Sequence, residues 1–65
     1  MKVNSSMISE IDYNGETLTI TFTSGRVYEY EGVSGEGYSK FMEAESKGQY
    51  FHENINGRFP TKRIK

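Results

Sequence analysis

The 65-residue chain has no cysteine, no tryptophan, one proline and no apolar run near the roughly 18 residues that a membrane-spanning helix needs. Without cysteine there is neither a disulfide framework nor a thiolate metal site, so packing must hold the fold together. Met1 to Ser6 lacks the apolar stretch and cleavage site of a signal peptide, which makes a cytoplasmic protein the expectation. A large excess of one charge is missing as well, the formal net charge being -1. Repeats and low-complexity segments are absent. A chain of this length buries only about 60% of its unfolded surface, which excludes a large enzyme core.

What is present is unevenly distributed. Residues 1 to 57 hold four basic and nine acidic residues, whereas Arg58 to Lys65 holds four basic and no acidic ones. The body is acidic and the tail basic, and Pro60 to Lys65 reads as a linker-like terminus.

Thr17-Leu18-Thr19-Ile20-Thr21-Phe22-Thr23 alternates threonine with a large apolar residue, the period of a half-buried strand. Asn14-Gly15 before it is a strong hairpin signal and joins it to a strand within Ser6 to Tyr13. A two-residue Asn14-Gly15 loop pairs Tyr13 with Glu16 and Ile11 with Leu18, placing Met7, Ile11, Leu18, Ile20 and Phe22 on one face and Ile8 on the threonine face. Ser24-Gly25 then leads to a third strand, Arg26 to Tyr30. A two-residue loop there puts Tyr28 and Tyr30 on the threonine face. A three-residue loop with a glycine bulge reverses the parity and sends both tyrosines into the core, so the residues leave two arrangements open.

Beyond Gly32 the period becomes helical. Ser34 is an N-cap, Tyr38, Phe41, Met42 and Glu45 follow at helical spacing, and Lys47-Gly48 reads as the helix end. A second helix, Gln49 to Asn56, buries Phe51 and Ile55 and closes at Asn56-Gly57. The expected fold is α+β, a three-stranded antiparallel β-meander followed by two short α-helices packed on one sheet face.

Four segments carry a family resemblance: Ser5-Ser6-Met7-Ile8, Tyr28-Glu29-Tyr30, Ala44 to Phe51, and Arg58-Phe59-Pro60-Thr61-Lys62-Arg63-Ile64. Together they resemble the KTSC domain family, named for a short domain at the C-terminus of some lysyl-tRNA synthetases and found also as single-domain bacterial and phage proteins. The resemblance implies one domain over residues 5–64 with residues 1–4 as a short N-terminal arm. Fusion to a tRNA-handling enzyme implies RNA as a partner, and no catalytic residues or cofactor come with it. The chain departs from the family pattern at His52, Asn56 and Ser34-Gly35, where asparagine, arginine and proline are expected.

Two tyrosines two apart on a strand share a face, and Tyr28 and Tyr30 could stack unpaired bases or fill the core. Arg26, Arg58, Lys62 and Arg63 are the candidate phosphate contacts, the acidic body requiring any such site to be local. His52 is the sole histidine and has no triad or metal-ligand context, so neither catalysis nor a metal is expected. The function expected is a small non-enzymatic binding module, RNA being the first partner. The alternative is a homo-oligomeric or host-protein-binding adaptor that covers its open sheet surfaces with another chain.

Overall fold

The computed structural model describes all of residues 1–65. Strands β1 (Ile8–Tyr13), β2 (Thr17–Phe22) and β3 (Val27–Glu31) precede helices α1 (Gly35–Glu43) and α2 (Lys47–Tyr50). A π-helical turn, Phe51–Ile55, continues α2, and strand β4 (Thr61–Arg63) closes the chain. The sheet is antiparallel with order β1-β2-β3-β4. The α+β meander with two helices is as expected, but it has four strands and not three. Thr61-Lys62-Arg63 has no apolar alternation to mark it as a strand, and all three residues are exposed. It becomes one by pairing with β3, Tyr28 opposite Arg63, Glu29 opposite Lys62 and Tyr30 opposite Thr61.

The first hairpin closes one residue later than its sequence suggests. The Asn14 side chain accepts hydrogen bonds from the backbone N–H groups of Glu16 and Thr17 at 3.0 and 2.7 Å, making Gly15-Glu16 the loop. Gly15 takes φ 98° at the first central position, as a type II′ turn requires. Tyr13 therefore pairs with Leu18 and Ile11 with Ile20, a slip of two residues that leaves the buried face unchanged. Farther along, a bulge between Ile8 and Glu10 inserts Ser9 and reverses the parity. Ile8 consequently lies in the core, fully buried, and not on the threonine face.

In the second hairpin the loop is Thr23-Ser24-Gly25, closed by Phe22 N–H to Arg26 C=O at 2.9 Å and Gly25 N–H to Phe22 C=O at 2.9 Å. Gly25 has φ 96°, the left-handed residue of a glycine bulge. Of the two loop lengths open in the sequence, the longer one is adopted. Tyr28 pairs with Ile20 and Tyr30 with Leu18, so both tyrosines sit on the helix-covered face.

That face packs Ile8, Ile11, Leu18, Ile20 and Tyr30 against Val33, Phe41, Phe51 and Ile55. Met7 and Phe22 lie at its margin, half-buried. Helix α1 starts at Ser34, whose hydroxyl accepts from Gly37 N–H at 3.1 Å. The ring of Tyr13 stacks on Tyr38 at 4.4 Å and its hydroxyl donates to Val33 C=O at 2.6 Å, tying α1 to the sheet. Contrary to the expected end at Lys47-Gly48, α1 stops at Glu43, because Ala44 turns to extended backbone and Ser46 caps a new helix by accepting from Gln49 N–H. The π-helical turn then buries Phe51 and Ile55, the two residues whose spacing marked the second helix.

The other sheet face is open. It carries Glu10, Asp12, Glu29 and Glu31 among Thr17, Thr19, Thr21 and Val27, with Lys62 opposite Glu29. Of residues 1–4, expected as an arm, residues 1–3 run along the free edge of β1, where Lys2 bridges to Glu10 and Val3 N–H bonds to Ser9 C=O. The outward edge of β4 has no such cover. No helix is long and apolar enough to cross a membrane.

Candidate binding groove

The glycine bulge at Gly25 decides the character of this region. By turning Tyr28 and Tyr30 toward the helices, it sets them beside Phe51 of the π-helical turn and Phe22 of β2. Phe22 meets Tyr28 edge-on at 5.9 Å and Phe51 at 5.3 Å, and Tyr30 meets Phe51 edge-on at 5.7 Å. Such pairs contribute roughly 0.5–1.5 kcal/mol beyond the area they bury. The four rings form the floor of a groove of about 380 Å³. Met7, Thr23, Ser24, Arg26, Asn56 and Thr61 complete its walls, and no carboxylate lines it.

The two tyrosines play unlike parts. Tyr30 is 3% exposed and belongs to the core. Burial, with the neighbouring Tyr28 phenol adding to it, pushes its hydroxyl from the usual 10.0 up to about 12, so it is a neutral phenol at physiological pH. That hydroxyl makes no hydrogen bond to the protein, and no buried polar side-chain atom is left unpaired, so the hydroxyl reaches solvent in the groove. Tyr28 is half-buried and lines the groove. Its ring lies 6.5 Å from that of Tyr30, the planes 28° apart.

The six residues singled out in the sequence fall into two groups. Arg26, Tyr28 and Tyr30 line the groove, and the register places Arg63 directly across from Tyr28 on the same sheet face. Lys62 alternates to the opposite face beside Glu29. Arg58 lies exposed after the π-helical turn, its N–H on Ile55 C=O, and takes no part in the groove. Sequence reasoning missed Phe22, Phe51 and Asn56 as groove residues. Phe22 and Phe51 carried a core signature and Asn56 a helix-closing one. Only the longer Ser24-Gly25 loop, which aims the tyrosines at the second helix, would have connected them.

Comparison with known proteins places this architecture. Residues 4–59 match the KTSC domain family. A solved KTSC domain protein of Yersinia pestis superposes with a TM-score of 0.96 at 36% identity, covering 100% of this chain and 94% of the other. Lysine–tRNA ligases of Trichormus variabilis and Nostoc punctiforme are 41% and 38% identical over 98% of this chain, which spans 12% of the length of each. A family match over most of the sequence, with a solved relative that superposes on the whole of it, shows that the chain belongs to the KTSC domain family.

Proposed function

We propose that this domain is a cytoplasmic, non-enzymatic binding module for single-stranded RNA, and that the Tyr28 groove with its arginine rim is the contact surface. The observation that carries this reading is the sorting of charge between the two sheet faces. Glu10, Asp12, Glu29 and Glu31 share the open face with Lys62, whereas on the other face the groove is lined by Arg26 and aromatic rings without a carboxylate, and Arg63 stands across from Tyr28. Cations beside an accessible aromatic ring suit a phosphate backbone with unpaired bases. The lysine–tRNA ligases that contain a similar segment add a second line of support, since those enzymes handle RNA.

A self-associating adaptor is the weaker reading. The one uncovered edge, β4, is three residues long, follows Pro60 and carries Lys62 and Arg63, features that discourage strand addition by a second identical chain. Amide NMR titration with transfer RNA and with a mixed-sequence single-stranded RNA, at low and then near-physiological salt, tests the proposal. Shifts confined to Arg26, Tyr28, Asn56 and Arg63 that weaken as salt rises are expected. Silence at low salt, where even weak phosphate contacts register, refutes it.

A further inference from the structure

The polar groups of the groove are unevenly occupied. The Thr23 hydroxyl donates to the backbone of Ser6 and Met7, and the Thr61 hydroxyl donates to Phe59 C=O at 2.9 Å. The exposed Ser24 hydroxyl and Asn56 amide have no partner in the protein, and the hydroxyls of Tyr28 and Tyr30 have none either without being sealed from solvent. All four residues line the groove and carry donors and acceptors that the protein leaves unused. A side-chain amide offers a donor and an acceptor side by side, the pattern that reads the edge of a nucleobase.

Size and charge restrict the occupant further. About 380 Å³ lies near the lower end of the range for small-molecule sites, enough for one planar ring system and its immediate substituents and too little for an extended strand. Arg26 lines the groove two residues before Tyr28, and Arg63 stands across from Tyr28 on β4, outside the groove lining, its Nε–H donating to Lys65 C=O at 3.3 Å. An internal nucleotide carries a phosphate on each side of its base, whereas a peptide C-terminus has a single anion. From this match we infer that the groove holds one unstacked nucleobase, read by Asn56 against the Tyr28 ring, with its two flanking phosphates on Arg26 and Arg63. The inference rests on the RNA reading above and specifies its unit of recognition, one base per domain.

Titration with the four 5′-mononucleotides, the matching nucleosides and inorganic phosphate separates the contributions. Nucleotides are expected to move Tyr28, Phe51 and Asn56 saturably, nucleosides to move the same residues more weakly, and phosphate to move Arg26 or Arg63 alone. Loss of the stacking ring in Tyr28→Ala is expected to weaken nucleotide binding roughly 5- to 150-fold. Tyr28→Phe, which keeps ring and fold, is expected to retain it. Asn56→Ala is expected to flatten the preference among the four bases. If RNA oligomers bind while mononucleotides at millimolar concentration leave Tyr28, Phe51 and Asn56 unmoved, the one-base pocket is refuted and the RNA reading stands. If neither binds, both fall. If N-acetylphenylalanine moves these residues at lower concentration than any nucleotide, the groove is a peptide-carboxylate site and the inference is overturned.

Discussion

Replacing Gly25 with L-alanine tests the device that aims Tyr28 and Tyr30 at the groove. Gly25 has φ 96° and no heavy atom lies within 4 Å of where a Cβ would stand, so the new methyl group meets no neighbour. The whole cost is conformational, about 1–2 kcal/mol for an L-residue held in the left-handed region. A small domain loses about 4–8 °C of melting temperature per kcal/mol, so Gly25→Ala is expected to melt roughly 4–16 °C lower. Gly25→Asn, which tolerates this region better, is expected to fall between the two. D-Alanine at the same position, introduced by chemical synthesis, prefers positive φ and narrows the unfolded ensemble, so it is expected to match or exceed the native chain. Thermal unfolding by circular dichroism gives the ranking, and urea titration with an unchanged m-value confirms that compactness is unaltered. Equal losses for L-alanine, asparagine and D-alanine would refute the argument, because they would show that the cost arises from the side chain and not from backbone handedness.

Gly48 lies inside α2 without positive φ, and an added Cβ would stand 3.7–3.8 Å from Met7, an ordinary contact. Gly48→Ala is therefore expected to stabilise the fold by about 0.5–1 kcal/mol, read as a higher urea midpoint; a lower midpoint contradicts it. The raised Tyr30 hydroxyl has a different signature. Between pH 10 and about 12 the unfolded chain releases a proton that the folded chain retains, so the stability associated with this shift is complete below pH 10 and declines as pH rises toward 12. Tyr30→Phe cannot lose that component, and the melting temperature of the native chain is expected to fall relative to the variant across this window. Parallel profiles would show that burial does not hold the proton.

Much of the fold was legible because the apolar pattern is strict where it matters. Alternation over Thr17 to Thr23 marked β2, and the spacing of Phe51 and Ile55 marked the inward side of the second helical segment. Legibility ended where a single residue changes parity. The extra Ser9 carries Ile8 into the core, and no local preference distinguishes serine in a bulge from serine in a regular ladder. At Gly25 glycine suits a two-residue and a three-residue loop alike, and packing of Tyr30 on Phe51 favours the longer. Strand β4 was illegible for another reason. Its threonine, lysine and arginine are exposed, and its identity as a strand comes from the unpaired edge of β3 beside it. The candidate site was half visible on these grounds, since Tyr28, Tyr30 and Arg26 are neighbours in sequence, whereas Phe51 and Asn56 arrive only through the chain reversal after α1.

If RNA is the partner, as proposed, the opposed sheet faces also bear on how the domain approaches it. The net charge is -1, but the sheet itself is sorted, with four carboxylates on its open face and Arg26 and Arg63 on the other. Near a nucleic acid, within about a Debye length, such local sorting favours the orientation that turns the arginines inward. On that reading, collisions with the wrong face forward would be corrected by rotation, without the broad adhesion to polyanions that a uniformly basic surface brings.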